Sequence, residues 1–135
     1  MIYLLDSNTC IVHLKQKASA VSARLKIHSP QDLAVCSVVK AELYYGAMKS
    51  QNQARTLAIQ QQFLNQFTSL PFDDAAAEIY GRERARLALL GTPIGANDLL
   101  IACIALAHNL ILVTYNTREF SRVHGLRLED WETTP

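Results

Sequence analysis

Residues 99–113 read LLIACIALAHNLILV, and the way this run breaks decides the fold. The stretch is apolar except for His108 and Asn109, and it falls short of the roughly 20 residues that a bilayer span requires. It is expected to be a buried helix turning into a buried strand. Asn97 is placed as the cap of that helix, Asp98 to Ala107, and Leu110 to Thr114 as the strand. A strand that is apolar on both faces, reached directly from a helix, belongs to a parallel sheet covered on both sides.

The same alternation extends in both directions. Ile2 to Leu5 reads as a first strand ending at Asp6, with Ser7 or Asn8 capping a helix to about Lys17. A short helix is expected over Ala20 to His28, stopped by Ser29-Pro30. Leu33 to Ser37 reads as the second strand, and Ser37 as the cap of a helix to about Lys49. Asn52 to Phe67 follows as a helix and Ser69 to Phe72 as a short third strand. A helix from Asp73 ends near Leu90-Gly91, where the glycine suits the residue just past the helix end. Leu126 to Leu128 forms a weak fifth strand, with a polar tail from about residue 129. The expected architecture is α/β: one domain over residues 1–135, with a parallel Rossmann-like sheet of four to five strands flanked by helices.

Composition narrows the function. The formal net charge is +1 and half of the 135 residues are hydrophobic. That argues against disorder and against a module that grips nucleic acid by bulk positive charge. The balance is uneven, because residues 1–50 carry six Lys/Arg against three Asp/Glu. Cys10, Cys36 and Cys103 are widely spaced and odd in number, as expected of small buried thiols in a reducing cytoplasm. MIYLL is too short for a signal peptide, so the expected location is the cytoplasm. His13, His28, His108 and His124 show no metal-ligand spacing.

In open parallel sheets the functional crevice lies outside the carboxyl ends of the strands. Three acids fall there. Asp6 follows the first strand, Glu42 lies in the second turn of the helix after the second strand, and Asp98 stands in the first turn of the helix leading into the fourth. Each has a plainer explanation: Asp6 as a turn or cap residue, Asp98 as a charge worth roughly 0.3–1 kcal/mol at a helix N-terminus, Glu42 as a surface carboxylate. For Glu42, however, Lys40 and Lys49 are wrongly spaced for i,i+4 pairing. A lone carboxylate in apolar sequence is costly, and a clustered trio calls for a cation. Carboxylate oxygens select hard ions such as Mg²⁺ or Mn²⁺. Thr114-Tyr-Asn-Thr-Arg-Glu-Phe120 adds Glu119 as a fourth acid, with Thr114 and Asn116 able to orient a ligand or water. Ser7 and Asn8 are candidates to brace Asp6.

Four blocks carry a resemblance: L-L-D-S-N-T-C around Asp6, S-V-V-K-A-E-L-Y-Y-G around Glu42, I-G-A-N-D-L-L-I-A around Asp98, and V-T-Y-N-T-R-E-F ending the fourth strand. In this order they resemble the PIN domain, and in particular the VapC toxins of bacterial type II toxin–antitoxin pairs. The resemblance spans residues 1 to about 131. It implies a Mg²⁺- or Mn²⁺-dependent endoribonuclease (a hydrolase), a VapB-like antitoxin as partner, and transfer RNA as a plausible target that stops translation when cut. It carries catalytic roles onto Asp6, Glu42, Asp98 and Glu119, the last where many relatives have Asp. Asp6 and Asp98 would be principal metal ligands, with Glu42 or Glu119 completing the shell directly or through water.

Lys40 is a candidate phosphate contact, whereas Arg82, Arg84 and Arg86 are expected on the surface, with Glu78 paired to Arg82. Tyr44, Tyr45, Met48, Phe63 and Phe67 are candidates for a surface used by the antitoxin or by a second copy in a homodimer. The competing functions are a DNA nuclease using the same site, a non-catalytic scaffold of this fold, and a phosphotransfer domain. The last lacks the required Lys after Leu110 to Thr114.

Overall fold

The computed structural model describes residues 1–133. Among them, five strands form one sheet in the order β3-β2-β1-β4-β5, every neighbouring pair parallel. The strands are β1 (Tyr3–Leu5), β2 (Leu33–Cys36), β3 (Thr68–Leu70), β4 (Ile111–Val113) and β5 (Leu128–Glu129). Between them run α1 (Ser7–Lys15), α2 (Ala20–Lys26), α3 (Ser37–Met48), α4 (Gln53–Leu64), α5 (Asp74–Leu90), α6 (Ala96–Ala107) and the short α7 (Thr117–Phe120). All four residues of β2 are buried, which requires cover on both faces of the sheet.

The run at 99–113 behaves as its sequence suggests. Six residues of α6 are buried, and the chain reverses at Asn109, whose φ of 53° is left-handed. Asparagine tolerates that region better than most side chains. Leu110 N–H donates to Ala105 O at 2.9 Å, closing the helix end, and Arg127 Nη2 donates to Asn109 O at 2.9 Å. Gly91, at φ 70°, ends α5 as expected.

Several boundaries differ from the sequence reading. Asp6, not Ser7 or Asn8, caps α1. The helix of Asp98 begins at Ala96 with Gly95 as its cap residue, so Asn97 is already inside it. The helix at Ser37 is capped by Cys36 without a side-chain hydrogen bond. The third strand lies earlier, at Thr68–Leu70, and the fifth later, at Leu128–Glu129. The 3-10 turn Pro30–Asp32 and helix α7 were not anticipated, because segments this short carry little periodic signal.

The expected tail from residue 129 is not a tail at its start. Glu129 pairs in β5, and Trp131 is 1% exposed, stacked on His28 and edge-on to Tyr3. Its Nε1 donates to Glu129 Oε1 at 2.9 Å, and the same oxygen meets Arg24 at 3.3 Å. The last two residues lie outside the described ones. Trp131 therefore anchors β5 to β1 and the end of α2. Trp131→Ala is expected to cost about 3–5 kcal/mol of stability, read from urea denaturation; a loss below about 1 kcal/mol would show that the segment is not part of the core.

Candidate metal and active site

The strand order reverses between β1 and β4, which is where a crevice opens at the carboxyl ends of a parallel sheet. Asp6 and Thr114 stand at that point, each the first residue beyond its strand. Asp6 N–H donates to Val113 O at 3.0 Å, continuing the ladder, and the Thr114 hydroxyl donates to Asp6 Oδ2 at 2.7 Å. The other oxygen, Oδ1, accepts Ser7 N–H at 2.8 Å. Asp6 is thus 96% removed from solvent, held by two donors and capping α1 in the same act (4% exposed). Burial raises its carboxyl above the ordinary range; the Thr114 and Ser7 hydrogen bonds oppose that, and Glu42 adds to it.

Glu42 reaches the same crevice from α3, where its Oε1 accepts the Ser7 hydroxyl at 2.5 Å. Ser7 therefore braces two carboxylates, Asp6 through its amide and Glu42 through its hydroxyl. Asn8, also expected to brace Asp6, is exposed and makes no hydrogen bond to it among the described residues. Its place beside Ser7 on α1 puts it on the rim of the groove instead.

Asp98 approaches from the first turn of α6. Its carboxyl is pushed up to about 6, first by burial and then by the charges of Asp6, Glu119 and Glu42. Glu119, on α7, has both oxygens engaged: Oε1 accepts Gly95 N–H at 2.8 Å and Oε2 accepts Asn116 Nδ2 at 3.1 Å. Those donors hold it below the ordinary carboxylate range, the Gly95 amide foremost. A Cβ added to Gly95 would stand 3.7 Å from Asp98 Oδ2 and 3.8 Å from Glu119 Oε1, so the two carboxylates converge on the bare side of that glycine. Gly95 was not singled out in the sequence, although it stands three residues before Asp98 in the quoted I-G-A-N-D block. Asn116 N–H donates to Thr114 Oγ1 at 3.0 Å, which connects the Glu119 segment back to Asp6.

Among the described residues no Lys or Arg forms an ion pair with these acids, although the charge of Arg122 is felt by Glu119. The ion pairs among the described residues are Arg24–Glu129 and Glu83–Arg86, both elsewhere. The expected Glu78–Arg82 pair is not among them. Nor does Lys40 reach the site: it lies about 160° around α3 from Glu42 and lines none of the groove. That groove, about 800 Å³, runs past Ser7, Asn8, Ser37, Glu42 and Asn97, with Ile11, Tyr45 and Leu100 also along it. Of the aromatic surface expected on α3 and α4, Tyr45 and Met48 are exposed, whereas Phe63 is buried and Tyr44 and Phe67 pack against the core.

The donor set is all carboxylate oxygen, mutually repelling and without an ion-paired Lys or Arg, which fits a hard divalent cation. Among the described residues, no three His, Cys, Asp or Glu side chains are close enough to enclose an ion by themselves. The fit is therefore to an ion held by one or two carboxylates that keeps several of its waters, the habit of Mg²⁺-like ions.

The sequence profile of the PIN domain matches residues 3–126. The chain belongs to the PIN-domain family. It is 44% identical over 129 residues to the tRNA(fMet)-specific endonuclease VapC of Shigella flexneri, covering 96% of this chain and 97% of that protein. The crystal structure of DNA-bound VapBC from Salmonella typhimurium superposes with a TM-score of 0.91 at 39% identity, covering 97% of this chain and 98% of the other. VapBC2 from Rickettsia felis, bound to a promoter DNA fragment, gives 0.90 at 35% identity, with coverage of 97% and 99%. Within the PIN family this is a VapC-type domain, and divalent-metal dependence is typical of that group.

Without metal, the electrostatics of the PIN-domain crevice become a stability effect. Asp98 binds its proton more tightly in the folded protein than in the unfolded chain, where 3.8 is ordinary. Its contribution to stability is therefore present below that value and is lost as pH rises through about 6. In chelator, Asp98→Asn is expected to gain stability relative to the parent as pH rises through that window. Urea denaturation along a pH series checks this; a difference that does not vary with pH would contradict the assignment.

Proposed function

We propose that this chain is the toxin of a type II toxin–antitoxin pair and a Mg²⁺- or Mn²⁺-dependent endoribonuclease, with Asp6, Glu42, Asp98 and Glu119 as its working carboxylates. The observation that carries the reading is that Asp6 and Glu42 share Ser7, and Asp98 and Glu119 meet at Gly95, beside the sheet's reversal point, with no Lys or Arg ion-paired to any of them among the described residues. Transfer RNA is the substrate class supported by the similarity to the tRNA(fMet)-specific VapC endonucleases of Shigella flexneri and Salmonella typhimurium, and a VapB-like antitoxin is the partner supported by the VapBC structures. The toxin would act in the cytoplasm as a homodimer.

When bound, the divalent ion would lower the pKa of a water and neutralise charge on the scissile phosphate. Asp6 and Asp98 would be its principal holders. Thr114 and the Ser7 amide each occupy one oxygen of Asp6, fixing the direction in which its remaining lone pairs face the crevice. Glu42, steadied by the Ser7 hydroxyl, is placed to take a proton from the attacking water. Glu119, already accepting two N–H donors, would serve by orienting the start of α6 and with it Asp98, and would act on the ion through water.

Helix ends add to the site. Among the described residues, α3 and α6 begin without a side-chain cap hydrogen bond, whereas Ser19, Asn52 and Asp73 cap α2, α4 and α5. The N-termini of α3 and α6 border the groove through Ser37 and Asn97, where their first-turn amides would add partial positive charge near a phosphate; the one-turn α7 is likewise without a side-chain cap.

Asp6→Asn and Asp98→Asn are each expected to lower RNA cleavage at least about a hundredfold while the protein stays folded. Chelation should abolish cleavage by the parent, with Mg²⁺ or Mn²⁺ restoring it. Cleavage of labelled RNA and sequence-matched DNA, beside circular dichroism, reads both points. Parent-level cutting by either variant would refute the site, and faster cutting of DNA would refute the substrate class.

A further inference from the structure

Away from the carboxylates, α5 and the turn after α7 share an ion pair whose carboxylate is buried and whose guanidinium is half-exposed. Glu83 is 9% exposed. It accepts two parallel hydrogen bonds from Arg86, from Nε at 2.8 Å and Nη2 at 2.9 Å, and a third from His124 N–H at 2.8 Å. Arg86 Nη2 also donates to Arg122 O at 2.7 Å. With the guanidinium half in solvent, the charge attraction itself adds little stability, so the informative question is what the pair holds in place.

It holds the 121–124 turn by two main-chain groups. From that turn, Arg122 Nη1 donates to Pro93 O at 3.0 Å, and Arg122 N–H donates to Glu119 O at 3.2 Å. Glu119 in turn accepts the Gly95 amide. Two rungs, Arg122 to Pro93 and Gly95 to Glu119, thus join the loop before α6 to the segment after β4. Both are referred back to α5 by Glu83 and Arg86. Asp98 stands on the first turn of α6, directly after this loop.

We propose that Glu83 and Arg86 are positioning residues for the metal site: by clamping the 121–124 turn to α5 they set the Gly95–Glu119 rung, and with it the separation of Asp98 and Glu119. This rests on the reading of the carboxylate site given above. Neither residue touches substrate or metal. Arg86 is required as arginine, because one guanidinium fork serves the Glu83 carboxylate and Arg122 O together, which an ammonium cannot do in the same geometry.

The test is Mn²⁺ binding to the full chain in the absence of RNA, followed by calorimetry or by loss of the free-ion paramagnetic signal. Glu83→Leu with Arg86→Leu removes both charges together but also leaves His124 N–H and Arg122 O without these partners, so the protein is expected to stay folded with a modestly lower melting temperature. Mn²⁺ affinity is expected to fall about tenfold. The Mn²⁺ concentration for half-maximal cleavage should rise in parallel, while the rate at saturating Mn²⁺ changes less. The Gly95 amide proton should shift in the NMR spectrum, although it is far along the chain from both substitutions. Arg86→Lys, which keeps the charge, should weaken Mn²⁺ binding in the same direction. Glu78→Gln with Arg82→Gln, on the exposed side of the same helix, should not.

A folded double variant with the parent's Mn²⁺ affinity and an unmoved Gly95 amide would overturn the inference alone. If the double variant does not fold, Arg86→Lys decides by the same two readings. A parent that binds no Mn²⁺ would overturn the reading of the site and this inference together.

Discussion

A single hydrogen bond, from the Thr114 hydroxyl to Asp6 Oδ2, joins the ends of the two strands between which the sheet order reverses. Both residues are buried, and an unpartnered carboxylate there would cost more than the chain could easily bear. The bond therefore constrains what surrounds it. It sets β1 and β4 level at their carboxyl ends, leaves Asp6 Oδ1 to cap α1, and presents Thr114 Oγ1 as the acceptor that starts the turn into α7. The fold's central seam and the site's first carboxylate are held by the same two side chains. A change at either would be felt in both.

The remaining acids are arranged around that point at different costs. Asp98 is placed among like charges and partly out of water, so in the metal-free protein it is driven toward protonation. Glu119 is stabilised as an anion by two N–H donors. These are opposite solutions to the same crowding: one carboxylate is left hungry for a cation, and the other is satisfied by the chain and fixed in direction. The division suits a site in which one group binds while its neighbour orients. The longer stem of a glutamate is what lets Glu119 reach back across to the Gly95 amide.

The sheet, its parallel sense and the positions of Asp6, Glu42 and Asp98 were legible in the sequence, because buried strands and amphipathic helices write strong periodic patterns and strand ends follow from them. What escaped was short or long-range. Helix α7 is one turn, too brief for a period, yet it carries Glu119. Ser7 braces Asp6 as expected, through its amide, but its hydroxyl goes to Glu42, a partner 35 residues away that no local spacing could reveal. Lys40 was read as close to Glu42 because it is close in number, but two residues of helix turn it to the far side. Gly95 was passed over because its role lies in a backbone amide and a missing Cβ, neither of which changes composition. The Glu83–Arg86 pair itself has ordinary i,i+3 spacing; what no local spacing could reveal is its hold on Arg122 O and His124 N–H, more than 30 residues away.

These features also bear on how the site meets a large polyanion. The net charge is +1, no lysine or arginine pairs with the carboxylates, and the groove beside them is walled largely by Ile11, Tyr45 and Leu100. Bulk electrostatics therefore supply little of the grip, and affinity should depend on salt less steeply than for proteins that neutralise many phosphates. Recognition is left to shape, to exposed aromatic and aliphatic surface, and to the uncapped amides of α3 and α6. Amides and aromatic faces select for conformation and unstacked bases more than for charge density. A nuclease built this way has little hold on regular duplexes and favours an RNA whose fold offers a loop to the groove.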